Sequence, residues 1–156
     1  MEIRALTAED TRANFRCGDP DLDRFFHKYA GTLCGHTGVT FIACAGRYIL
    51  AMASIAHVQL EFPEPLPVLR IARFSVDRSA RGQGVGGELL KVLLWIGFQH
   101  KSAGVVVDAT HENQEFFARQ GFEPIALVQG QSEARPAPTA LFLPMRAVRL
   151  ACGAEA

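Results

Sequence analysis

The chain has 156 residues, 49% of them hydrophobic, and its 16 Lys plus Arg balance 16 Asp plus Glu. That length and apolar content suit one domain with a substantial core, and the neutrality excludes a global positive field that would draw the chain to nucleic acid or an anionic membrane. No apolar run approaches the length of a membrane span, and Met1-Glu2-Ile3-Arg4 leads into mixed polar sequence rather than a secretion signal, so the chain is read as cytoplasmic.

In chain order, residues 3–6 read as a short strand, followed by a helical turn for which Thr7 is the N-cap. Asp19 can cap a second helix with Pro20 at its first position, and Leu22, Phe25, Phe26 and Tyr29 fall on one face at helical spacing. Residues 31–38 are a loop, and 39–44 and 48–58 an antiparallel pair turning at Ala45-Gly46-Arg47. Residues 61–67 hold Pro63, Pro65 and Pro67 and are expected to be a connecting loop, because proline lacks the donor a ladder needs. Strands follow at 71–76 and 105–109, with a helix starting at Val85 between them. A short helix over 113–120 ends on Gly121, 129–138 is an exposed loop, and 140–143 is a last strand. The expected organisation is one domain over 1–150 with a disordered tail over 151–156. Cys17, Cys34, Cys44 and Cys152 lack metal-ligand spacing, so no metal site or disulfide framework is expected, with Cys44 as core and the others as free thiols.

The informative stretch is Arg81-Gly82-Gln83-Gly84-Val85-Gly86-Gly87, between an apolar strand and a helix. Its glycines remove the Cβ atoms that would hold a ligand off the backbone and permit φ > 0 at little cost. At a helix N-terminus, unpaired amides and the positive end of the macrodipole favour a dianion such as a pyrophosphate, and Arg81 can add a charge-assisted contact. A P-loop reading fails because Glu88 follows Gly87 where Lys-Ser or Lys-Thr is needed. The dinucleotide fingerprint matches literally at Gly82, Gly84 and Gly87, with Asp108 where a ribose-binding acid would sit, but five residues separate the strand from the first glycine and too little chain follows for more parallel strands. A ligand-free turn is the remaining alternative.

Arg81-Gly82-Gln83-Gly84-Val85-Gly86, the strand over 105–109 and Phe116-Phe117-Ala118-Arg119-Gln120-Gly121-Phe122 together resemble the GNAT acetyltransferase superfamily over nearly the whole chain. Phe15-x-Cys17-Gly18-x-x-x-Leu22-Asp23-x-Phe25, Ala72-Arg73-Phe74-Ser75-Val76-Asp77 and Leu141-Phe142-Leu143-Pro144-Met145 are similar to the subgroup that contains bacterial toxins acetylating the α-amine of aminoacyl-tRNA. The resemblance implies an α/β (α+β) fold with a strongly bent mixed sheet, splayed central strands and flanking helices. It implies acetyl-CoA as acyl donor, its pantetheine arm along Phe74, Ser75 and Val76, its pyrophosphate on Arg81 to Gly87, and further contacts from Asn113 and Phe117. No metal is implied.

The implied reaction is direct attack of a neutral primary amine on the thioester, with an amide near Phe74 or Ser75 stabilising the oxyanion; one such donor is worth about 3 kcal/mol. Many relatives place a tyrosine where this chain has Phe117, which has no proton to give. His111 is an alternative donor, and a thiol of pKa near 8.5 can also leave as the anion. His57 and His111 are the candidate bases, with a water chain equally open. Asp77 is either a strand-end cap or a partner of Arg81, and Arg78 and Arg119 could meet the 3′-phosphate.

The acceptor stays open. A tRNA substrate, with an antitoxin as the usual partner, calls for a basic stripe, for which Arg70, Arg73, Arg78, Arg81, Lys91, Lys101 and Arg119 are available. Overall neutrality favours a small amine or peptide instead, and Phe117 leaves room for a CoA-binding module with little transfer. Trp95, Ile96 and Phe98 make their helix apolar on more than one face, for a homodimer contact or for burial against the sheet.

Overall fold

The computed structural model describes residues 1–28, 39–62, 64–125 and 139–151. The loops expected over 31–38 and 129–138, with Tyr29, Cys34, Pro63, Cys152 and the last five residues, lie outside that description. In chain order the elements are β1 (Glu2–Ala5), α1 (Pro20–Lys28), β2 (Val39–Ala45), β3 (Tyr48–Phe62), β4 (Glu64–Val76), a 3-10 turn (Arg78–Ala80), α2 (Val85–Gln99), β5 (Gly104–Ala109), α3 (Gln114–Arg119), β6 (Glu123–Pro124), β7 (Thr139–Pro144) and α4 (Met145–Ala151). The strands form one seven-stranded sheet in the order β1-β2-β3-β4-β5-β7-β6. β4 and β5 run parallel, whereas β1–β2, β2–β3, β5–β7 and β6–β7 are antiparallel. The mixed sheet removes the dinucleotide-fold reading, which needs a largely parallel one, and Asp108 is held by Arg70 at 2.6 Å.

The chain divides into two compact units, one of Met1–Ala56 with Arg73–Leu93, the other of His57–Ala72 with Leu94–Ala156. In the first, the stripe of α1 buries as expected. Phe26 is fully buried and meets Phe15 edge-on at 5.4 Å, within a cluster that includes Ile42, Cys44, Ile49 and Met52. Asp19 caps α1, its Oδ1 accepting from the Asp21 amide at 3.0 Å. Cys17 belongs to this core as well as Cys44, so it is no exposed thiol, and burial pushes its thiol up. In the second unit, Val68, Val106 and Ala140 form a buried cluster with Val58, Leu60 and Leu66 packed against it. Each large apolar side chain fully buried in either core contributes about 2 kcal/mol.

Two expectations are overturned. The prolines do not break the sheet: β3 continues to Phe62, and Pro65 and Pro67 lie inside β4. The Pro67 carbonyl accepts from the Ala103 amide at 2.7 Å, so residue 67, and by alternation residue 65, present their backbone nitrogens on the β5 side of the strand. β5 pairs with β4 only from Val68 onward, so no ladder donor is lost there. Thr7 caps no helix. Its amide and hydroxyl both donate to Asp10 Oδ2, at 2.7 and 3.0 Å, which closes a turn in place of a helical one. The hydrogen bonds from Arg4, outweighing partial burial, hold the Asp10 carboxyl well below the usual range.

Candidate functional site

In the first unit the site is built on the end of β4 and the start of α2. The parallel pairing of β4 with β5 runs from Val68↔Gly104 to Ile71↔Val107. Two residues further on, Arg73 has φ +54°, a left-handed conformation that costs a non-glycine residue about 1–2 kcal/mol. The strand is therefore kinked at Arg73, immediately before the expected cofactor residues Phe74, Ser75 and Val76. Phe74 and Ser75 are buried and Val76 half-buried. The Arg73 guanidinium lies 4.1 Å from the centre of the Phe25 ring, a cation–π contact that helps hold the kink.

Asp77 ends the strand and caps the 3-10 turn. Its carboxylate accepts from the Arg16 amide at 2.7 Å, the Ser79 amide at 3.0 Å and the Ser79 hydroxyl at 2.6 Å. Burial would raise its pKa, but these hydrogen bonds outweigh burial and hold it below the ordinary value. Of the two roles open in the sequence, this is the cap; Arg81 instead donates to the Cys17 carbonyl.

The glycine loop follows. Gly82 and Gly84 have φ +76° and +80°, and a Cβ built on either, or on Gly87, would meet nothing within 4 Å. These positions are therefore glycine for backbone conformation and open approach, not for packing. Gln83 folds back to donate to the Ser79 carbonyl at 3.1 Å. The first helical bond of α2 is Glu88 N–H to the Gly84 carbonyl at 3.1 Å. The amides of Val85, Gly86 and Gly87 precede it and have no acceptor among the described residues, so they present the positive end of a 15-residue helix to the open side of the loop.

The remaining expected residues lie in the second unit. Asn113 does not cap α3; its Oδ1 accepts from the Thr110 amide at 2.7 Å and fixes the turn leaving β5. His111, in that turn, is exposed. Phe117 is fully buried and meets Phe116 and Phe122 edge-on at 5.1 and 5.5 Å. Gly121, at φ +97°, closes the helix: its amide bonds the Ala118 carbonyl and the Phe122 amide the Phe117 carbonyl. The Phe117–Phe122 contact is the apolar clasp of that ending. His57, the other candidate base, sits within β3 with its ring 4.5 Å from that of His100. Burial and then the neighbouring His100 charge lower its pKa. Among the described residues, no group of three His, Cys, Asp or Glu could hold a metal, and no helix is long and apolar enough to cross a membrane.

The presumed basic stripe is partly neutralised. Arg70 pairs with Asp108, Lys91 with Glu88 and Arg119 with Glu115. Sequence reasoning missed Arg16 and Arg24, which line a groove with Gly18, Asp23, His27 and Arg78. The signal available was the density of arginines around Gly18.

A mixed sheet with a kinked central strand, leading through a glycine loop into the bare N-terminus of a helix, defines a domain built to hold a phosphate-bearing ligand. The chain belongs to the acetyltransferase (GNAT) family, whose profile matches residues 2–122. It is 30% identical over 139 residues to the tRNA-acetylating toxin of Mycobacterium tuberculosis (strain ATCC 25618 / H37Rv), covering 77% of this chain and 82% of that protein. Among solved structures it resembles a tyrosine-to-phenylalanine variant of the AtaT toxin bound to the C-terminus of the antitoxin AtaR and acetyl-CoA, with a TM-score of 0.82, 24% identity and 96% of each chain covered. AtaT complexed with acetyl-methionyl-tRNAfMet gives a TM-score of 0.81 at 21% identity, over 96% of this chain and 97% of that one. At these identities the structural likenesses establish the fold.

Proposed function

We propose that the chain transfers the acetyl group of acetyl-CoA to the α-amine of an aminoacyl-tRNA, as a toxin restrained by a protein antitoxin. The observation that carries the cofactor half is the glycine loop: a Cβ at Gly82, Gly84 or Gly87 would meet nothing within 4 Å, and the amides of Val85, Gly86 and Gly87 at the start of α2 have no acceptor among the described residues, which leaves the backbone open to a pyrophosphate. The acceptor half rests on the relationship to the mycobacterial tRNA-acetylating toxin.

In this reading the main chain of Phe74, Ser75 and Val76 lines the pantetheine arm, with Asn113 as a further contact, and an amide at Phe74 or Ser75 receives the oxyanion; the fully buried Phe117 has no exposed surface to touch the arm. The amine nitrogen attacks the thioester carbonyl and the tetrahedral intermediate expels the CoA thiolate. The proton lost by the amine passes to water or His111. Phe117 has no proton to give, so the thiolate leaves as the anion and is protonated by solvent, which its ordinary pKa permits.

Isothermal titration with acetyl-CoA, followed in the same cell by thiol release on adding charged tRNA or a panel of small amines, tests both halves. Binding followed by release with charged tRNA is expected. Release with small amines alone would replace the acceptor, an outcome that the chain's formal neutrality favours. Absence of binding, with Gly84→Ala indistinguishable from wild type, would overturn the cofactor site.

A further inference from the structure

Within the first unit, Arg16, Arg24, His27 and Arg78 line an open groove of about 650 Å³ with Gly18 and Asp23. Their positive charge is only partly compensated: the Asp77 carboxylate accepts from the Arg16 amide and feels the Arg16 charge. Among the described residues, neither Arg16 nor Arg78 forms an ion pair, and Arg24 reaches only the exposed Asp21, at 3.6 Å. Arg16 is held by carbonyls, donating to Ala13 and Phe15 at 2.7 and 2.8 Å, and its guanidinium lies 2.8 Å from His27 Nε2. Asp23, the one carboxylate in the lining, accepts from the Cys17 amide at 2.9 Å.

Gly18 sharpens the crowding. It has φ +98°, and a Cβ there would lie 3.3 Å from Arg78 Nε and 3.4 Å from an Arg81 terminal nitrogen. Two guanidinium groups thus converge on one backbone position, a like-charge arrangement that a shared anion relieves. Arginine forks match phosphate oxygens two at a time.

We infer that this groove is a phosphate-binding site of its own beside the first residue of the glycine loop, formed by Arg16, Arg24, His27 and Arg78. The spread of four cationic or ionisable groups suits the backbone of an RNA acceptor strand, and the 3′-phosphate of CoA is the other source of the same group. The inference rests on the proposed function only for the source of the phosphate.

The test uses the full chain and its Arg24→Ala/Arg78→Ala variant, both exposed positions, with folding checked by thermal unfolding. Fluorescence anisotropy with labelled uncharged tRNA is run across a salt series, and CoA is compared with 3′-dephospho-CoA by calorimetry. The expected result is roughly tenfold weaker tRNA binding and a salt slope smaller by about two, with the preference for CoA over 3′-dephospho-CoA unchanged. Collapse of that preference instead would support the site and assign it to the cofactor's phosphate. A variant matching wild type in both assays would overturn the site while leaving the proposed function standing. If wild type binds tRNA in an Arg24- and Arg78-dependent way but not CoA, the groove stands and the cofactor reading fails. Binding of neither probe by wild type would overturn both.

Discussion

Gly104 and Gly87 are glycines for opposite reasons, and substitution separates them. A Cβ at Gly104, inside β5, would fall 2.5 Å from the Phe142 ring and 2.7 Å from the Leu143 carbonyl. The carbonyl belongs to the paired strand β7 and cannot yield cheaply, so Gly104→Ala is expected to cost about 1–3 kcal/mol, read as a lower midpoint in urea. Gly87 lies inside α2 with open space beside it. There alanine restores helix propensity and is expected to add about 0.5–1 kcal/mol, while its methyl group obstructs the loop and weakens acetyl-CoA by tenfold or more in calorimetry. A gain in stability paired with a loss in affinity marks a residue kept for a ligand; equal affinity in wild type and Gly87→Ala would remove Gly87 from the site. For Phe117→Tyr, the new hydroxyl enters a fully buried position and is expected to cost about 1–3 kcal/mol if it finds no partner.

At the scale of elements, the cap on the 3-10 turn gives a pH-dependent prediction. The folded pKa of Asp77 is depressed, so its contribution is present above the unfolded value near 3.9 and is lost as pH falls through the folded value. Asp77→Ala should cost about 1 kcal/mol at pH 7, and the gap between the two melting temperatures should narrow below pH 4. His57 acts in a higher window. Its folded pKa is lowered, so the unfolded chain binds the proton more readily and stability falls as pH drops below about 6.5. His57→Gln should flatten the thermal stability profile between pH 7 and 5; an unchanged slope would show that the His57–His100 contact carries no titration.

The same scale explains what could be read in advance. The caps of α1 and the glycine ending of α3 were legible because each depends on one residue type at a fixed offset: Asp19 before Pro20, Gly121 before Phe122. β4 was read too short because a proline's effect in a strand depends on which side its nitrogen faces, and that side is set by where β5 begins to pair. β6 and α4 went unseen, β6 because two residues, Glu123 and Pro124, carry no period. In the site, the glycine loop was legible from composition, whereas the kink at Arg73 was not, since an arginine at positive φ is held by its surroundings, including the ring of Phe25.

For the molecule as a whole, zero formal charge means that no long-range field gathers RNA; contact depends on local cations. If the arginines of the groove are the main phosphate contacts, about three counterions are released, and log K should fall with log salt at a slope of about −2 to −3. A slope steeper than about −6 in the same titration would require a far larger basic surface.

The strand order has a consequence for life at high concentration. The sheet's outermost strands are β1, four residues long, and β6, only two. An exposed sheet margin is a template on which a stranger chain can add itself, and natural proteins guard against this by keeping border strands short. The long strands β3 and β4 are interior in the strand order, and where β3 meets β2 over Tyr48–Ile55 and β4 meets β5 over Val68–Ile71 their outer backbone groups are paired, so the outermost strands give copies accumulating in the folded state little on which to polymerise edge to edge.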